Sequence, residues 1–262
     1  MFTKRLLLAA GLAALVALPA ATQAEITPEE VARLSQDLTP FGAIRAGNED
    51  GSIPAWEGGL TSAADAGFPD FKTGGHHPDP FADDEVLFTI NAANMAQYSD
   101  LLTETHKALL TTYPDYFMNV YPTRRSAAAP QRIYDATARI ALTTQLIEGG
   151  NGVTGGTVGI PFPIPKDGVE AIWNHILRWR ALSAERAIGQ TAVTREGSYT
   201  MVKFVDNYLA QYAMEGITEE ELDNVIIFFK QRVAAPARLA GEVLLVHETM
   251  DQNKENRRAW LY

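Results

Sequence analysis

The chain has 262 residues, no cysteine and a formal charge of −10. Without cysteine there is no disulfide framework, no thiolate metal centre and no lipid-modified cysteine. An acidic chain also suits neither nucleic acid nor anionic lipid headgroups, because both reward basic patches.

Residues 1–24 read as a secretory signal peptide. Lys4 and Arg5 precede an apolar run, residues 6–18, that is too short to span a bilayer as a helix. Thr22-Gln23-Ala24 places small residues where a signal peptidase reads. Cleavage would take the formal charge from −10 to −12 and deliver residues 25–262 to a bacterial periplasm as a single domain, long enough for a core of its own.

Thr27-Pro28-Glu29-Glu30 predicts a short helix, with an N-cap, proline in the first turn and acids beside the helix dipole. Residues 38–60, LTPFGAIRAGNEDGSIPAWEGGL, are too rich in Gly, Pro, Asn and Asp for a regular element. Yet Phe41, Ile44, Ile53 and Trp56 favour burial, so the reading is a structured loop pinned by apolar anchors. Irregular chain continues to Phe81, and loops of that length tend to be functional or to wrap a surface.

Apolar spacing predicts one helix over 91–112, ended by Pro114, then a short strand over 117–120. Residues 132–146 read as a long strand from the alternation of Ile133, Tyr134, Ala136, Ala138, Ile140 and Leu142. Residues 149–159 are a Gly-rich turn, and Pro161, Pro163 and Pro165 exclude a central strand over 160–165. Asp167 and Gly168 open an amphipathic helix with Val169, Ile172, Trp173, Ile176 and Trp179 on one face. Strands follow over 184–194, 198–213, 223–233, 238–250 and 256–262, with tight turns at 195–197 and around 234–236. The fold class is α+β, one curved antiparallel sheet wrapping a helical layer, behind a long irregular N-terminal segment. Val225 to Phe229 are apolar on both faces, which predicts cover on both sides.

Several groups invite chemistry. Arg124-Arg125 offer paired forks for a carboxylate or phosphate, or structural ion pairs with the chain's many acids. His76-His77 with Asp83-Asp84 have metal-binding chemistry, but neighbours in an extended chain point apart, and the aspartates serve equally as caps. Glu170/His175 and His247-Glu248 are acid–base pairs without the geometry of a triad. The glycines at 149–156 lack the Lys-Ser/Thr of a phosphate loop. No catalytic residue, metal ligand or cofactor is therefore assigned.

The segments LTPFGAIRAGNEDGSIPAWEGG, HHPDPFADD, YPTRRSAAAPQRIYDATA, VGIPFPIPKDGVEAIWNHILRWR and APARLAGEVLLVHETMDQ, in this order, resemble the bacterial family known as domain of unknown function 1329. The resemblance implies a periplasmic or outer-membrane-associated protein similar in fold to lipoprotein-sorting (LolA-like) carriers, whose incomplete barrel holds acyl chains against helices. It also implies an outer-membrane protein or efflux-pump component as partner, and no enzymatic mechanism. Members generally continue past the point matching Tyr262, so an incomplete C-terminus and an unpaired sheet edge are expected. The resulting expectation is a non-enzymatic carrier of a lipid or other apolar ligand, with an adaptor and a periplasmic hydrolase as alternatives. Trp173, Ile176, Trp179, Phe204 and Phe228 would contact its apolar part, and Arg124 and Arg125 its head group.

Overall fold

The computed structural model describes residues 26–262. The signal-peptide reading lies outside the described residues. Helix α1 (Pro28–Ala32) forms as expected: the Thr27 hydroxyl accepts from the Glu30 amide, and the Glu30 carboxylate accepts from the Thr27 amide. After a 3₁₀ turn at Arg33–Ser35, the chain runs without helix or paired strand to β1 (Phe88–Asn91), apart from an isolated bridge between Leu38 and Ile44.

Strand β1 pairs antiparallel with β2 (Phe117–Val120). Between them, the single helix expected over 91–112 is replaced by a 3₁₀ turn, Met95–Leu101, and helix α2 (Glu104–Thr112). The break has a local cause. Leu102 is extended and Thr103 caps α2, accepting from the His106 amide at 3.2 Å. Ile90, Leu102 and Leu110 form a small core beneath this unit.

The strand expected over 132–146 is instead helix α3 (Gln131–Ile140). Ile133, Ala136, Thr137 and Ile140 are buried at helical spacing, while Tyr134 lies on its flank. The apparent alternation came from apolar residues serving two sides of one helix. A short hairpin follows, β3 (Gln145–Leu146) with β4 (Val153–Thr154).

Residues 160–165 form no strand, yet Ile160 to Pro163 are buried. Asn174 satisfies that segment's backbone, accepting from the Phe162 amide at 2.9 Å and donating to its carbonyl at 2.6 Å. Asn174 lies on α4 (Gly168–Ile176), which Asp167 caps as expected. Strands β5 (Ser183–Val193), β6 (Tyr199–Ala210), β7 (Val225–Ala235), β8 (Val243–Thr249) and β9 (Arg258–Leu261) form an antiparallel meander in chain order. The sheet is open, with β5 and β9 at its edges. Two expected strands start or stop short: a 3₁₀ turn at Gln211–Ala213 replaces the end of 198–213, and β8 begins only at Val243. A short helix, α5 (Glu219–Leu222), joins β6 to β7.

The main core lies where α4 meets this sheet. Trp173 and Leu177 pack with Phe162, Tyr212, Leu222, Ile226 and Ile227, and with the half-buried Ile176, Trp179, Tyr208 and Phe229. Strand register places Tyr208, Phe229 and Val246 on this face, and Leu209, Phe228 and His247 on the other. Val225, Ile226 and Ile227 are buried, whereas Phe228 and Phe229 are only half-buried, so the cover expected over the whole run 225–229 is complete for its first three residues.

Candidate functional site

The loop of residues 38–60 lies against the chain leading into α3. Arg125 ties it down. Its guanidinium donates to the carbonyls of Ile44 at 2.7 Å, Arg45 at 3.0 Å, Pro54 at 3.3 Å and Ala46 at 3.4 Å. The Trp56 indole donates to the Ala127 carbonyl at 2.9 Å, and the Leu60 amide to the Ser126 carbonyl at 2.9 Å. Gly42 has a positive φ and lies against Pro163, where a Cβ would collide with the Pro163 carbonyl. Of the four expected anchors, Trp56 is buried and Phe41 half-buried. Ile44 and Ile53 are instead 71 % and 45 % exposed. Hydrogen bonds to backbone carbonyls, rather than burial of those two isoleucines, fix that end of the loop.

Between loop and helix lies a cleft of about 380 Å³, lined by Pro40, Phe41, Trp56, Tyr134, Arg124 and Arg125 among others. Phe41 meets the Tyr134 ring edge-on at 5.0 Å, and Trp56 meets it perpendicular at 6.4 Å. The Tyr134 hydroxyl accepts from the Ala129 amide at 2.7 Å, which leaves its own proton for a further acceptor. Arg45 stacks over Trp56 at 5.5 Å. No carboxylate lines the cleft, so its polar groups favour an acceptor or an anion.

Arg124 has different partners. It forms a bidentate pair with Asp84 and stacks over Phe81 at 5.2 Å. Bonding to Asp84 holds the guanidinium even more firmly protonated. The expected arginine pair therefore splits: Arg125 is taken up by the loop, and Arg124, half-exposed at the cleft, has one fork filled by Asp84 and its remaining N–H groups outside that pair.

The structure places the other expected ligand-contacting residues elsewhere. Trp173 is buried in the main core, and its indole donates to the Gly150 carbonyl at 3.0 Å. Ile176 and Trp179 pack at the edge of that core, with Arg132 over the Trp179 ring at 5.1 Å. Phe204 is half-buried on the α4 side of the sheet, and Phe228 lies on the far side, edge-on to His247 at 4.8 Å. The cleft brings in Phe41 and Trp56, which the sequence marks as anchors, and Tyr134, which it assigns to a strand.

Of the remaining candidates, His77 stacks on Phe71 at 5.1 Å, and His76 lines a separate depression with Phe68 and Pro78. Among the described residues, no three His, Asp or Glu side chains converge as a metal site would require. His247 sits between Phe228 and Trp260, while Glu248 pairs with Arg257 at 3.1 Å. Successive residues of one strand face opposite sides, so these two do not act as a pair.

Comparison with known proteins agrees with the sequence resemblance. The family described as "Protein of unknown function (DUF1329)" matches residues 89–262. An uncharacterized protein of Pseudomonas aeruginosa, PA3922, is 46% identical over 263 aligned positions, covering 100% of this chain and 57% of the relative. The chain thus spans a little over half the length of that relative. No solved structure matches it. The chain belongs to the DUF1329 family.

Proposed function

We propose that this member of the DUF1329 family is an exported, non-enzymatic carrier that binds one apolar or amphipathic molecule in the cleft between its N-terminal loop and α3. The carrying observation is the cleft itself: about 380 Å³, walled by Phe41, Trp56 and Tyr134, with one half-exposed guanidinium at Arg124. Its volume lies within the usual range of small-molecule sites, and its lining combines aromatic walls with a few convergent polar groups. Each methylene buried there contributes about 0.8 kcal/mol, so a short hydrocarbon tail suffices for useful affinity. The N–H groups of Arg124 that Asp84 does not take supply the contact for an acidic head group. The proposal includes a periplasmic location, service to the outer membrane, and a sheet that works as a lipoprotein-carrier-like half-barrel over its helices.

The test is native mass spectrometry of protein purified from a bacterial periplasm, followed by organic extraction. One retained amphiphile per chain, lost in Trp56→Ala, is the expected outcome. Folded protein that carries nothing, and that no apolar ligand stabilises against heat, would end the carrier reading.

A second reading rests on the exposed Ile44 and Ile53, which project from a firmly held loop. They suit an adaptor whose loop docks on an outer-membrane or efflux-pump protein. The double variant Ile44→Asp/Ile53→Asp would then lose co-purification of that partner and keep its fold. Unchanged co-purification removes this reading.

A further inference from the structure

A second group of cations lies away from the cleft, where the chain leaving α4 crosses the sheet. Arg180 and Arg186 approach the same Tyr208 ring, at 5.7 Å and 5.8 Å from its centroid. Arg132, from α3, lies 5.1 Å over Trp179, the residue next to Arg180, and donates to the Ala213 carbonyl at 3.2 Å. Arg178 adjoins Trp179 on its other side; its carbonyl accepts from the Tyr212 hydroxyl at 2.6 Å, while its guanidinium is taken up by the His175 carbonyl at the end of α4. Three guanidiniums, those of Arg132, Arg180 and Arg186, thus stack on Trp179 and Tyr208.

Their compensation is small. Among the described residues, Asp206 is the carboxylate within ion-pair distance of any of the three, 3.1 Å from Arg186. Asp206 is itself buried and also accepts from Gln231 at 3.0 Å. Arg180 is exposed and has no ion-pair partner among the described residues. A local surplus of positive charge in a chain of net charge −10 costs repulsion unless an anion joins it.

The anchoring of these arginines also fits a ligand. A guanidinium stacked on a ring keeps its in-plane N–H groups free to donate. The forks arrive from three places in the fold, α3, the segment after α4 and β5. That suits a tetrahedral group with several acceptor oxygens better than one planar carboxylate. We infer that Arg132, Arg180 and Arg186 form a phosphate-binding site, separate from the cleft and independent of what the cleft holds. Trp179 and Tyr208 supply an apolar floor beside it, so a phosphate ester with a hydrocarbon tail fits as well as free phosphate.

The test titrates the full chain with inorganic phosphate, with dodecyl phosphate and with vesicles of phosphatidylglycerol or phosphatidylcholine. Arg180→Gln/Arg186→Gln is compared with Arg139→Gln/Arg238→Gln, which removes the same charge elsewhere. The expected result is binding of at least one phosphate probe, weakened about tenfold or more in the first double variant and little changed in the second. Tighter binding of dodecyl phosphate and phosphatidylglycerol vesicles identifies a lipid head group as the source, and equal affinity for inorganic phosphate identifies the free ion. Arg180→Lys/Arg186→Lys keeps the charge and removes the forks, so it should also weaken binding. The inference fails if no probe binds, if both glutamine variants lose affinity equally, or if the lysine variant binds as well as the parent.

Discussion

The loop of residues 38–60 and the sheet of β5–β9 are ordered by opposite means. The sheet is held by an apolar layer on its α4 face and by antiparallel ladders that shift register twice, between Lys203 and Phe204 and between Val225 and Ile227. The loop has no ladder: Arg125 donates to its backbone carbonyls, and its own Trp56 donates outward to the Ala127 carbonyl. A dense core shares its stability among many contacts, so damage there should spread to the whole molecule. A loop fixed by single donors should be released locally and leave the rest folded.

The largest expected effect is on the sheet side. Trp173→Ala empties a buried indole site and leaves the Gly150 carbonyl without its donor. A loss of about 3–5 kcal/mol is expected for such a truncation, read from urea unfolding. A loss below ~1 kcal/mol would show that α4 does not share the sheet's core.

Tyr212 tests the same core by pH. Burial pushes its phenol up to about 12, against an ordinary value of 10.0. The folded state therefore holds the proton more tightly than the unfolded chain. The stability it contributes is fully present below pH 10 and is lost as pH rises through about 12, on the order of 3 kcal/mol in all. Tyr212→Phe should abolish this alkaline step, at a cost of about 1 kcal/mol at neutral pH for the lost bond to the Arg178 carbonyl. An alkaline step that survives the substitution would assign it to another group.

On the loop side, Arg125→Met removes the donor shared by four carbonyls. Charge-assisted bonds of this kind contribute about 1.5–3 kcal/mol, and here the loss should fall on the loop alone. Limited proteolysis should cut within residues 45–58, while the urea midpoint of the sheet hardly moves. Arg125→Lys should not rescue, because one ammonium cannot reproduce the fork. Parallel loss of loop and sheet would erase the distinction between the two regions.

That distinction also explains what the sequence made legible. The β5–β6 hairpin could be read locally, because alternating strands flank the Arg195-Glu196-Gly197 turn. The cap of α4 at Asp167 and the capping box at Thr27 were equally local. Helix α3 was misread because Tyr134 serves the cleft while Ile133, Ala136 and Ile140 serve the core, and two apolar sides on one helix imitate a strand. Such conflicts between pattern and element are expected where a helix carries more than packing. Arg124-Arg125 were visible as a pair, but their partners were not. Asp84 lies 40 residues from Arg124, and the Ile44 carbonyl 81 from Arg125. No local pattern encodes contacts at such separations.

The smallest expected effect concerns the one ion pair that ties the N-terminal segment to the approach to α4. Lys166 donates to Glu30 at 2.6 Å, while the other Glu30 oxygen accepts from the Thr27 amide at 3.0 Å. The bond from Lys166, then that from Thr27, holds the Glu30 carboxyl below its ordinary value of 4.5. Because the folded value is the lower one, this contribution is present above the unfolded value and disappears as pH falls through the folded value. Acid should therefore undo the α1 cap and the Lys166 contact together, ahead of the sheet. Carbon-detected NMR titration of Glu30 should give a midpoint below 4.5, and Lys166→Met should move it back toward that value. If the midpoint stays depressed in Lys166→Met, the cap alone holds the proton off, and the Lys166 contact adds nothing measurable to the tie between the N-terminal segment and the approach to α4.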